Sequence, residues 1–99
     1  MDKRDYLIEL YDIYKLLLTE SERNYFEQYF FEDYSLNEIA EVSGVSKSYV
    51  SKVINKITNK LNKYEAQLSN KKRKDKLFEL VSVVNDEEIK KKIEEMLEI

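Results

Sequence analysis

The sequence predicts an all-α protein, a small helical bundle, and three observations carry that expectation. Its 99 residues contain no proline and one glycine, where ordinary usage would supply about five and seven, and sheets and long loops need those residues for their turns. Apolar residues recur at three- and four-residue intervals along most of the chain. Two patterns, Thr19 with Glu22 and Ser35 with Glu38, read as capping boxes, in which a hydroxyl and a carboxylate each satisfy an orphan N–H at a helix start.

A first helix is expected from about Lys3 to Leu18, with Leu7, Leu10, Tyr11, Tyr14, Leu17 and Leu18 inward and Ile8, Ile13 and Leu16 widening the stripe. Behind Thr19 a second helix carries an aromatic face of Tyr25, Phe26, Tyr29 and Phe30, and the polar segment "EDY" ends it. Ser35 starts a third helix of about two turns, its buried side marked by Leu36, Ile39, Ala40 and Val42. Gly44 suits a sharp turn with positive φ, and Val45 anchors that turn in the core. Ser46 is an N-cap for a fourth helix whose Val50, Val53, Ile54, Ile57 and Leu61 face inward, continuing through Tyr64 and Leu68.

The segment "SNKKRKDK" then interrupts the apolar pattern. Beyond it, Leu77, Leu80, Val81 and Val84 form one stripe, "NDEE" is an acidic cap, and Ile89, Ile93, Met96 and Leu97 form another. The expected organisation is a helix-turn-helix domain over 1-68, its recognition helix at about 46-62, and a C-terminal helical extension over 69-99. That extension either joins the same compact unit or serves as a dimerisation element.

Composition closes several functional classes. Apolar residues make up 42% and charged residues 37% of the chain, the balance of a folded protein with well-solvated faces. Cysteine and histidine are absent, which removes disulfides, thiolate zinc sites and the commonest general base. No phosphate loop, nucleophile elbow or metal spacing occurs, and Glu87/Glu88 and Glu94/Glu95 read as neighbours on a solvated helix face. No catalysis, cofactor or metal is expected. No apolar run approaches 18 residues, and Glu9, Asp12 and Lys15 interrupt the N-terminal one; membrane insertion is not expected, and the cytoplasm is the expected location.

Charge is segregated beneath a net charge of -3. Residues 1-45 hold four Lys/Arg against eleven Asp/Glu, residues 46-76 hold ten against two, and residues 77-99 hold three against seven. Salt screens charges beyond roughly 8 Å, so the middle block acts locally as a basic patch. The patch begins where the helix-turn-helix spacing is complete: a small residue at Ala40, a turn residue at Gly44, and apolar anchors at Val45, Val50 and Val53.

The stretch "LLTESERNYFEQYFFEDYSLNEIAEVSGVSKSYVSKVINKITNKL" resembles region 4 of bacterial sigma factors in its L-T-E-x-E-R opening, S-x-x-E-I-A helix and G-V-S turn. More closely, residues 7 to 68 are similar to the YlxM family of helix-turn-helix proteins linked to the bacterial signal recognition particle. The resemblance implies a regulatory role near that RNA- and GTPase-containing particle, whose components become candidate partners. The recognition helix departs from the family's S-R-Q-A-V-Y-D type segment, with Lys47 in place of the arginine.

With Val50, Val53 and Ile57 inward, Lys47, Ser48, Ser51, Lys52 and Asn55 point outward, where a major groove would meet them. Asn55 suits adenine and the lysines guanine. Ser46, Lys56, Lys60, Lys63 and the run from Lys71 to Lys74 would serve phosphates. The expected partner is nucleic acid, duplex DNA ahead of RNA. The rival expectation is a protein-interaction module that keeps the helix-turn-helix as scaffold and uses apolar helix faces for a homodimer or a particle partner.

Overall fold

A computed structural model of the chain describes residues 3–97, and all their regular structure is helical: α1 (Lys3–Tyr14), a 3₁₀ turn (Lys15–Leu17), α2 (Glu20–Phe30), α3 (Leu36–Ser43), α4 (Lys47–Leu68), α5 (Asn70–Val83) and α6 (Glu87–Leu97). The chain divides into two compact units, Met1–Gln67 and Leu68–Ile99.

In the first unit the local signals act as the sequence predicts. The Thr19 hydroxyl accepts from the Glu22 N–H at 3.1 Å, while Glu22 accepts from the Thr19 N–H at 2.9 Å. Ser35 and Glu38 repeat the exchange at α3. Gly44 closes α3 in the left-handed region at φ 67 and ψ 34, and the Val45 N–H reaches back to the Ala40 carbonyl at 3.1 Å. The helix therefore ends by satisfying its own last carbonyls.

The core gathers Leu7, Leu10, Tyr11 and Tyr14 of α1, Phe26 and Phe30 of α2, Ile39 of α3, and Val50, Ile54, Ile57 and Leu61 of α4. Phe26 is its centre, stacked on Tyr11 at 4.2 Å between ring centroids and on Phe30 at 4.3 Å. Two buried tyrosines keep their hydroxyls paired, as buried polar groups must be: Tyr11 donates to Glu27, and Tyr14 donates to Glu65 at 2.7 Å. Burial, with the Glu27 carboxylate as acceptor, pushes the Tyr11 hydroxyl well above the usual tyrosine range. Among the described residues no buried side-chain nitrogen or oxygen lacks a partner.

Two expectations are corrected. The first α-helix stops at Tyr14, not Leu18, because residues 15–17 tighten into a 3₁₀ turn. Three residues per turn shift the side-chain phase, so Leu16 is 85% and Leu17 53% exposed while Leu18 stays buried. Arg23 steadies this turn by donating to the carbonyls of Lys15 and Leu18. Val42 is exposed, since α3 has a single inward turn and Val45, past the glycine, packs against the core. The lysine-rich segment that interrupts the apolar pattern is itself helical: α5 begins at Asn70, and Ser69 alone, at φ 55, separates it from α4. Lysine and arginine are good helix formers, and Lys71 pairs with Asp75 one turn on at 2.7 Å.

In the second unit α5 and α6 contact each other. Asp86 caps α6, its Oδ1 accepting from the N–H groups of Glu88 and Ile89. Val81 is buried, whereas Phe78, Leu80, Val83, Ile89 and Met96 are exposed. Leu80, Ile89 and Met96 of the two expected stripes thus face solvent, and the side chain of Leu97 lies outside the described residues. No described helix is long and apolar enough to cross a membrane.

Candidate nucleic-acid interface

Placement of the candidate interface starts from the turn. Gly44 reverses the chain, and the Ser46 hydroxyl accepts from the Tyr49 N–H at 3.1 Å, which caps the new helix. From Gly44 to Tyr64 the sequence contains no acid, and Glu65, the first to follow, accepts from Tyr14. Val50, Ile54, Ile57 and Leu61 are buried, so α4 is pinned along one side and free along the other.

Lys47, Ser48, Lys52, Asn55 and Lys56 are exposed, and Ser51 is half-buried. Ser46 combines exposure with its capping bond, and its hydroxyl also lies 3.2 Å from that of Ser48. Lys52, Asn55, Lys56, Asn59 and Lys63 share the rim of one open, shallow depression along α4. At 1.5 Å per residue, Lys47 to Lys63 spans roughly 24 Å, about two-thirds of a duplex turn.

Lys60 lines the same depression, yet its ammonium is held by Glu22 at 2.8 Å. Burial raises the Glu22 carboxyl, but hydrogen bonds from Lys60 and from the Thr19 backbone outweigh it, leaving its pKa below the ordinary value. The Glu22 hydrogen bond in turn raises Lys60. Glu22 therefore both caps α2 and fastens it to α4, and Lys60 is a structural cation. In the second unit Lys71 is buried and bound to Asp75, and the Lys74 ammonium lies 5.9 Å from the centre of the Phe78 ring. Those partners draw part of the Lys71 to Lys74 run away from phosphate service.

Sequence reasoning passed over two features. Tyr49 is half-exposed in the first turn of α4, edge-on to Tyr25 with centroids 6.5 Å apart; a bulky aromatic one residue before the buried Val50 was its signal. Asn55, Asn59 and Asn62 are exposed on α4 at i, i+4 and i+7, a spacing that already placed three amides on one helix face.

The family profile described as "Putative helix-turn-helix protein, YlxM / p13 like", designated UPF0122, matches residues 1–99. The chain is 46% identical over 99 residues to a UPF0122 protein of Ureaplasma urealyticum serovar 10, covering 96% of each chain. It is 37% identical over 92 residues to a UPF0122 protein of Mycoplasma capricolum, covering 93% of this chain and 81% of that one. With a UPF0122 protein of Clostridium perfringens strain SM101 the identity is 36% over 107 aligned positions, covering 99% and 96%.

Proposed function

The chain belongs to the UPF0122 family of YlxM/p13-like helix-turn-helix proteins, and from that premise we propose that it is a non-enzymatic regulatory protein that presents α4 to the major groove of duplex DNA. One observation carries this proposal: the exposed side of α4 bears Lys47, Lys52, Lys56 and Lys63 with no acid among them, directly after the helix-turn-helix corner. Lys47, Ser48, Ser51, Lys52 and Asn55 then meet base edges, each good bidentate contact contributing about 1–3 kcal/mol of discrimination. Ser46, Lys56 and Lys63 hold phosphates and set the register. The acidic faces elsewhere in the first unit repel the duplex, which narrows the approach to this side of α4. In this reading the protein works in the cytoplasm and serves the signal recognition particle pathway, a role supported by the resemblance of residues 7 to 68 to YlxM proteins.

Duplex binding is tested at two salt concentrations with wild type and Lys47→Glu/Lys52→Glu. Replacing two base-contacting cations with acids should weaken binding at least tenfold and relax sequence discrimination at the positions they read. Unchanged affinity in the variant discards the reading face.

A second reading is favoured by the exposed apolar side chains of the C-terminal unit, Phe78, Leu80, Val83, Ile89 and Met96. In it the protein is an interaction module, the helix-turn-helix is scaffold, and this surface meets a second copy or a particle component. A pull-down that sets particle components against bulk duplex DNA separates the two.

A further inference from the structure

Between the start of α1, the end of α2 and the middle of α4 lies a concave cleft of about 470 Å³, within the size range of ligand pockets. We propose that it receives one unpaired nucleobase together with its phosphate, offered by a single-stranded or looped stretch of nucleic acid. Leu7, Phe30 and Ile54 line its apolar part. Tyr29 is half-buried and stands edge to face with Phe30, ring centroids 5.1 Å apart and planes 87° apart, while Phe30 is buried, stacked on Phe26 and faced by the Arg4 guanidinium, which leaves Tyr29 as the aromatic available to a base.

The opposite wall belongs to α4. Asn55, Asn59 and Asn62, with Thr58, line it, and each amide offers both a donor and an acceptor, the mixed pattern a base edge requires. At the α1 side stand Lys3 and Arg4. Arg4 is held in place by the Phe30 carbonyl and by Asp33 at 2.8 Å, and Lys3 is exposed. None of the described residues that line the cleft is acidic, although the first 45 residues alone contain eleven Asp/Glu.

A half-buried tyrosine, an amide ladder, the exposed Lys3 and an Arg4 whose guanidinium is shared with Asp33 suit a base with its phosphate better than they suit a purely apolar or a cationic ligand. A paired duplex cannot enter, because its bases are stacked and show only their edges. The inference goes beyond duplex reading by the N-terminal half of α4, with which it shares only Asn55.

The test uses the full chain and a short labelled single-stranded RNA, the same strand annealed to its complement, and AMP as competitor, followed by fluorescence anisotropy. Wild type should bind the single strand, and Tyr29→Leu and Asn62→Ala should each weaken it roughly tenfold, the loss of one stacked or edge-bonded base. Duplex affinity should stay within about twofold. Competition by AMP would show that base and phosphate suffice; failure of AMP where the strand binds would show that the strand itself is required, and both support the site. If Tyr29→Leu loses its helical circular dichroism, Asn62→Ala decides, because Asn62 is exposed and alanine favours helix. The site is overturned if wild type does not bind the strand, if Asn62→Ala leaves strand affinity unchanged, or if the variants weaken strand and duplex equally. Failure of duplex reading appears separately, in Lys47→Glu/Lys52→Glu.

Discussion

The two units use their apolar residues in opposite ways. In residues 1–67, four helices contribute side chains to one core that includes Phe26, and two helix starts are locked by complete capping boxes. In residues 68–99 the described apolar side chains are mostly exposed, with Val81 buried and Phe78, Val83, Ile89 and Met96 open to solvent. Yet α6 is strongly one-sided in sequence, with Ile89, Ile93 and Met96 at i, i+4 and i+7. Amphipathic periodicity alone therefore does not make a core; it makes a face, and burial requires a second face of matching shape. The first unit buries its stripes against one another, whereas the second, although α5 and α6 touch, leaves several of its apolar side chains exposed.

The largest expected effect breaks this contrast directly. Phe26→Ala removes the ring on which Tyr11 and Phe30 stack and should cost about 3–5 kcal/mol. Phe78→Ala, an equal truncation at an exposed site, should change stability by less than about 0.5 kcal/mol. Urea titration followed by circular dichroism measures both, and comparable losses would mean that the two units are not distinct in packing.

How much of this was legible depends on the range of the interactions. Both capping boxes and the Gly44 turn could be read because each is decided within four or five residues. Leu16 and Leu17 could not, because a 3₁₀ turn is a small phase change in an apolar run where every leucine looks equally able to face inward. The outward face of α4 was legible from periodicity, but the fate of Lys60 was not. Its partner Glu22 lies 38 residues away, and nothing local distinguishes Lys60 from Lys56. The cleft was illegible for the same reason, since Tyr29 and Asn62 become neighbours of one space only when three helices have packed.

The Glu22–Lys60 pair sharpens the contrast next. Glu22→Gln keeps the capping geometry but removes the charge, and it should cost about 1–2 kcal/mol near pH 7, less than a fully buried pair because Lys60 is 32% exposed. The folded-state pKa of Glu22 is depressed, so its contribution is present above the unfolded carboxyl pKa of about 4.3 and is lost as pH falls through the folded value. Lys60 is raised, so its contribution holds below about 10.4 and is lost as pH rises through its own folded value. The gap between wild type and Glu22→Gln should accordingly be widest at neutral pH and close in acid. A pH series of urea midpoints checks this, and a gap that does not narrow as pH falls below the unfolded carboxyl value of about 4.3 would refute the ionic origin.

Gly44→Ala follows at about 1–2 kcal/mol, the cost of a side chain at φ 67. An added Cβ there meets nothing within 4 Å, so the whole effect is backbone conformation. Gly44→Asn should recover part of it because asparagine tolerates the left-handed region. Equal losses for alanine and asparagine in thermal unfolding would point to a steric origin instead.

The smallest effect on stability carries the most information about the second unit. Ile89→Lys/Met96→Lys replaces two exposed apolar side chains of α6 with good helix formers, so the fold of a monomer should change by less than about 0.5 kcal/mol. Sedimentation equilibrium over a range of concentrations gives the complementary measurement. If the open face of α6 meets a second copy, wild type gains mass with concentration and the variant remains monomeric; a wild type that stays monomeric throughout removes the homodimer. The two readouts are independent because a solvent-facing residue contributes to association without contributing to the monomer's core. The same double substitution in Tyr14 and Phe26 would unfold the first unit, and that asymmetry defines the difference between a face that has found its partner inside the chain and one that has not.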